Sequence, residues 1–128
     1  MRVLLDTHIF LWWLAGDRKL GRRVRTILED ESTIVLVSAA SAWEIATKVR
    51  IGKLPDAEVV AGDISAAIVG QGFEELPISV VHAQRAGSLP GDHRDPFDRM
   101  LAAQAQIEGV PILSVDTAFD ALGVPRIH

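Results

Sequence analysis

Four acidic side chains, Asp6, Glu44, Asp98 and Asp116, each fall where an apolar run ends or where a helix is expected to open. In an α/β fold such positions gather along one rim, outside the carboxyl ends of the strands, where ligands bind. Carboxylates crowded onto one rim repel each other, and a hard divalent cation held through oxygen relieves that repulsion. The chemistry this suggests is metal-dependent work on phosphate. The chain has no cysteine, so disulfides and zinc–thiolate sites are excluded and ligation falls to oxygen and histidine.

Each acid also has a local structural explanation. Ser41-Ala42-Trp43-Glu44 fits a capping box, in which Glu44 bonds back to the Ser41 amide. Asp95 suits the N-cap of a helix opening at Pro96, which puts Asp98 third in that helix, where its side chain is short for closing a box. Asp116 would cap a short helix starting near Thr117, and Asp6 the apolar helix that follows it. Capping explains the acids singly but not why all four share a rim. Among the histidines, His8 reads as a capping or packing residue near that rim. His82 sits in a helix with no partner visible. His93, beside Arg94, reads as a surface loop residue, with RNA contact as the alternative.

The elements that must position these groups alternate strand and helix. Val3–Leu5 is a short buried strand, followed by helices over Ile9–Ala15 and Leu20–Glu31, the latter with Val24, Ile27 and Leu28 at helical spacing. Thr33–Val37 is a second strand. Helices are expected over Ser41–Arg50, stopped by Gly52, and over Ala57–Val69. Glu75–Ile78 is a weak strand before a short helix at Ser79–Gly87. The Pro96–Glu108 helix has Pro at its first position and Gly109 after its end. Val110–Val115 is a strand, and a short helix near Thr117–Leu122 and a strand at Val124–Ile127 close the chain. Strands separated by helices predict one α/β domain over residues 1–128, a central parallel twisted sheet with helices on both faces.

With 128 residues, 48% of them hydrophobic and 23% charged, the chain is expected to be globular with a real core. Its apolar start, MRVLLDTHIFLWWLAG, resembles a signal peptide superficially, but Asp6 and His8 interrupt the run and it is too short to span a bilayer. The expectation is a cytoplasmic protein with no membrane partner. The net charge of −4 argues at first against nucleic acid, yet the four rim acids alone account for it. Five of the 13 basic residues, Arg18, Lys19, Arg22, Arg23 and Arg25, lie within eight positions. Lys48, Arg50 and Lys53 form a second group. Such runs are ordinarily solvated helix faces; they become a phosphate footprint if they border the acids. In the adjacent Trp12 and Trp13, side chains about 100° apart on a helix allow one ring to enter the core while the other meets a second surface.

At this point the residues reach a family. Leu5-Asp6-Thr7-His8, Ser38 with Ser41-Ala42-Trp43-Glu44-Ile45-Ala46, Arg50-Ile51-Gly52-Lys53-Leu54, the run from His93 to Ala105, and Ser114-Val115-Asp116 together resemble the PIN-domain nucleases, specifically the VapC-type ribonuclease toxins of toxin–antitoxin pairs. The similarity runs essentially end to end and rests on the order and spacing of the pieces. Ser114 stands where the family often has Thr. The resemblance implies a Mg²⁺- or Mn²⁺-dependent endoribonuclease with Asp6 and Asp98 as core ligands. Glu44 would ligate or orient the attacking water, and Asp116 would act farther out. Thr7, Ser38, Ser114 and Asp95 would support them, with Asp95 left between cap and ligand. It implies in-line hydrolysis to 5′-phosphate and 3′-hydroxyl ends, an RNA substrate, a protein antitoxin and a homodimer.

Other readings fit less well. A receiver domain needs a phosphoacceptor Asp after a central strand, where this chain has Val37-Ser38-Ala39. A haloacid-dehalogenase-type phosphatase needs Asp-x-Asp after the first strand, where His8 takes the second place. A non-catalytic PIN-fold RNA-binding module, and a PIN nuclease acting on another nucleic acid, remain as alternatives.

Overall fold

The computed structural model describes residues 1–128. Strand β1 (Arg2–Leu5) is central because every residue after Arg2 is apolar and buried. Strand β2 (Ile34–Ser38) lies on one side of it, with β3 (Glu74–Leu76) beyond. On the other side lies β4 (Ile112–Leu113), and then β5 (Arg126–Ile127). All four pairings are parallel, with Val3 opposite Val35 and Leu4 opposite both Leu36 and Ile112. Alternation along β1 sends Leu4 into one core and Val3 and Leu5 into the other. The Val3 face is covered by α1 (Thr7–Ala15), α2 (Arg22–Glu29), α3 (Ala39–Arg50) and α5 (Ile64–Gly70), through Phe10, Val24, Ile45 and Ile68. The Leu4 face is covered by α6 (Val80–Ser88), α7 (Pro96–Glu108) and α8 (Ala118–Ala121), through Ala86, Leu101 and Phe119. The expected parallel sheet with helices on both faces is thus present, and its connections diverge from β1 towards β2 and β4. Such a switch point leaves a crevice at the carboxyl edge. No helix is long and apolar enough to cross a membrane.

Several expected boundaries are corrected. Helix α3 begins at Ala39, not Ser41, because the Ser38 hydroxyl accepts the Ala40 N–H at 2.9 Å and is the cap. The Ser41–Glu44 capping box does not exist. Ser41 is buried and accepts the Thr7 hydroxyl at 2.8 Å, and Glu44 is sixth in the helix, in its second turn. The single helix expected over Ala57–Val69 is a 3-10 turn at Pro55–Ala57, then α4 (Glu58–Gly62), then α5. The break comes where Asp63 leaves helical geometry to accept the Ala66 N–H at 3.0 Å. Helix α1 starts at Thr7 and α2 at Arg22. Strands β4 and β5 are shorter than expected because Pro111 and Pro125 have no N–H for the ladder. Asp116 consequently lies three residues beyond β4, not directly after it. Helix α7 has the expected ends, with Asp95 as cap, Pro96 first, and Gly109 closing it at φ +67°.

Candidate active site: an acid cleft at the carboxyl edge of the sheet

Asp6 leaves β1 and caps α1. Its Oδ1 accepts the Thr7 N–H at 2.7 Å, and its Oδ2 accepts the Ser114 hydroxyl at 2.7 Å. Ser114 Oγ in turn accepts the Asp116 N–H at 2.9 Å, so one hydroxyl ties the ends of β1 and β4 together. Asp95 Oδ1 accepts the N–H groups of Phe97 and Asp98 at 2.9 and 3.1 Å, which fixes the entry of α7. Asp98, in the first turn, is met by His93 Nε2 at 2.9 Å from its Oδ2. Glu44 is buried; its Oε2 accepts the Lys48 ammonium one turn on, and its Oε1 is buried with no partner. Asp116 is exposed and its Oδ1 accepts the Ala118 N–H at 2.9 Å.

These five acids line a single cleft of about 920 Å³. Lys19, Lys48, Lys53, His8, Asp17 and Asp56 also face it, and Leu11, Trp12, Leu14, Leu54 and Val60 form an apolar wall. The basic group that borders the acids is chiefly the second one, since only Lys19 of the first run reaches the cleft. Thr7 and Ser114 lie behind the lining and hold Asp6. Ser38 is set apart, capping α3 and donating to the buried amide of Gln104. As they stand, no three acidic or histidine side chains are gathered closely enough to enclose a cation.

The electrostatics are those of a partly desolvated acid cluster. Burial pushes the Asp98 carboxyl up to about 6; the His93 hydrogen bond works against this, while Asp95, Asp6 and Asp116 add to it by repulsion. Asp6 is likewise raised by burial, against the hydrogen bond from Ser114. Burial would lower the Lys48 ammonium, but the hydrogen bond and charge of Glu44, with Asp95 and Asp98 beyond, hold it above its ordinary value.

Two side chains at this site went unread in the sequence. Lys48 carried a signal, its i,i+4 spacing from Glu44 on a helix. His93 carried none, because its loop meets Asp98 only through the clamp of Arg99, which donates to the His93 carbonyl at 3.1 Å and to the Leu89 and Ala86 carbonyls. His82, expected without a partner, is buried, accepts the Ser79 N–H at 3.0 Å and faces Glu108 Oε2 at 3.0 Å. The tryptophans divide their roles. Trp12 faces the cleft with the Lys19 ammonium 5.9 Å from its ring centre. Trp13 packs on Phe73 at 6.1 Å and donates to Gln71 at 2.9 Å.

Comparison with known proteins follows the same lines. Residues 3–125 match the family model described as PIN domain. Over 62 residues the chain is 44% identical to Ribonuclease VapC16 of Mycobacterium tuberculosis (strain ATCC 25618 / H37Rv), a match spanning 48% of this chain and 43% of that protein. The chain is therefore aligned with less than half the length of that relative. Among solved structures, M. tuberculosis VapC20, a sarcin-ricin loop cleaving toxin, superposes with a TM-score of 0.71 at 16% identity, covering 98% of both chains. A toxin–antitoxin complex from Klebsiella pneumoniae superposes at 0.62 with 19% identity, covering 98% of this chain and 96% of the other. At those identities the superpositions establish the fold.

Proposed function

Because this chain belongs to the PIN domain family, we propose that it is a Mg²⁺- or Mn²⁺-dependent endoribonuclease, the toxin of a toxin–antitoxin pair, working in the cytoplasm as one nuclease domain over residues 1–128. The observation that carries this is the convergence of Asp6, Glu44, Asp98 and Asp116 on one cleft bordered by lysines. The donor set suits a hard cation. It is all oxygen, one Glu44 oxygen is buried without a partner, and the raised Asp6 and Asp98 carboxyls are what an absent positive charge would leave. Asp6 and Asp98 would hold the cation, Glu44 would ligate or orient water, and Asp116 would act at the exposed edge. Bound there, Mg²⁺ or Mn²⁺ offsets charge on the phosphate and favours ionisation of an attacking water.

The chain's own residues do the rest. Ser114 and the Thr7 amide hold Asp6 in one rotamer, and the Asp95 cap orients the turn that carries Asp98. Lys48 neutralises Glu44 while the cation is absent; once Glu44 turns to the cation, the ammonium is free to meet a phosphate oxygen. Lys19 and Lys53 extend that positive lining along the RNA backbone. The apolar wall at Leu11, Trp12 and Leu54 suits an antitoxin segment, whose basic side chain would enter the acid cluster. The toxin–antitoxin assembly of the same fold in K. pneumoniae supports this partner. A homodimer is proposed by resemblance to the family.

The test is cleavage of end-labelled total RNA by the purified protein with Mg²⁺, with Mn²⁺ and with EDTA. Cutting is expected with either cation and none in chelator; cutting that survives EDTA defeats the metal mechanism. Lys48→Met supplies a second test. It strands the buried Glu44 charge, so the metal-free variant should melt below the wild type, and Mn²⁺ should raise its melting temperature by more. Equal Mn²⁺ shifts in both proteins would remove Lys48 from the cation's site.

A further inference from the structure

One exposed feature lies outside the acid cleft yet is built on both helices that carry its acids. Trp43 precedes Glu44 on α3, and Phe97 precedes Asp98 on α7. Their rings meet edge to face, with centroids 4.8 Å apart and planes at 73°. Phe97 is half-buried, whereas Trp43 remains 59% exposed. Phe97 therefore acts as a prop that holds the indole in one orientation and leaves much of its surface to solvent. Along the same face of α3, Ala46 and Arg50 follow Trp43 at i+3 and i+7, and both are exposed. Ala46 adds no bulk, and Arg50 sits about 10 Å farther along the axis. Arg94, three residues before Phe97, is also exposed. The other strongly exposed apolar side chains, Val59, Val80 and Val81, are aliphatic and adjoin none of the four rim acids in sequence.

We propose that the propped Trp43 ring is a stacking platform for an unpaired base of the RNA strand whose phosphate lies in the acid cleft. This rests on the nuclease reading and deepens it to a preference for single-stranded substrate. An aromatic face accepts a splayed base of any sequence and cannot reach one stacked inside a duplex. Guanidiniums on either side complement the flanking phosphates. A purely apolar protein-binding face would have no use for that charge. Continuity with the cleft provides the direction of the strand, from the metal-ligating acids on α3 and α7 onto the ring one residue upstream of each.

The experiment measures fluorescence anisotropy of a short labelled RNA, single-stranded or annealed to its complement, with Mg²⁺ and an Asp98→Asn protein that cannot cut it. Adding Trp43→Ala should weaken binding to the single strand about tenfold, adding Trp43→Phe should retain most of the affinity, and duplex binding should not move. Melting temperatures near that of the parent ensure that folding is not the cause. The platform is overturned if Trp43→Ala binds single strands as the parent does, if the parent binds none, or if sedimentation shows that the substitution breaks an oligomer and the face is a protein interface. Cleavage separates the two readings. If the otherwise wild-type protein cuts no RNA with either cation, the nuclease reading falls. If it cuts RNA, and Trp43→Ala cuts single strands equally well, only the platform falls.

Discussion

Asp98→Asn is expected to reduce RNA cleavage on the order of 10³-fold while making the metal-free protein more stable at neutral pH. The two effects have opposite signs because Asp98 is installed for a charge that the fold alone does not welcome. Its folded pKa, about 6, lies above the ordinary 3.8. The native state therefore holds the proton that the unfolded chain has already released. Stability is highest below the unfolded pKa, falls as pH rises from 3.8 towards 6, and stays lower above that. Asparagine keeps the shape without the ionisation, so in EDTA the variant should melt above the wild type at pH 7.5 and show no such gain at pH 3.5. Thermal melts at the two pH values, set beside the cleavage rate with Mg²⁺, decide it. Retained cleavage would remove Asp98 from the proposed site, and a lower melting temperature at pH 7.5 would show that Asp98 stabilises the fold as a charged group.

Phe10→Ala should do the reverse, costing about 3–5 kcal/mol of stability and sparing the chemistry. Phe10 is fully buried on α1, four residues after the Asp6 cap, and packs on Phe73 with ring centroids 6.5 Å apart. It belongs to the core formed by Val3, Leu5, Val37, Ile45 and Leu113, which holds α1 against the sheet. Truncation leaves a cavity among side chains with little freedom to collapse, and the loss is a large part of the roughly 5–15 kcal/mol that a small domain has. Urea unfolding should show a much lower midpoint with an unchanged slope. Cleavage per folded molecule at low temperature should persist, because every acid is untouched. A shift in midpoint below that expected for about 1 kcal/mol would mean that α1 is held chiefly by its cap and its link to Ser41.

These two residues also mark where sequence reading succeeds and where it stops. Asp6 after an apolar strand, Asp95-Pro96 opening a helix and Gly109 ending it are local signals. Each depends on the backbone hydrogen bonds and permitted φ of a few consecutive residues, so the sheet, its helices and the rim could be read from order alone. The start of α3 could not. Ser38 and Ser41 both suit a cap, and Glu44 three residues beyond the second favours the wrong one. The choice fell to Ser38 because Ser41 is taken by Thr7, 34 positions away in the chain. The lengths of β4 and β5 were misjudged for a more ordinary reason, two prolines inside otherwise apolar runs.

The identities and order of the acids, and the rim on which they lie, were determined by the sequence. Their state was decided by tertiary structure alone. The packing of α3 against α7 brings Trp43 onto Phe97. The folding of the loop before α7 sets His93 on Asp98. Burial at the edge of the sheet raises Asp98 and leaves a Glu44 oxygen without a partner. Short-range hydrogen bonding and periodicity are encoded in neighbouring residues. Desolvation and side-chain pairing depend on what distant segments bring into contact, and those contacts exist only once both cores have closed around β1.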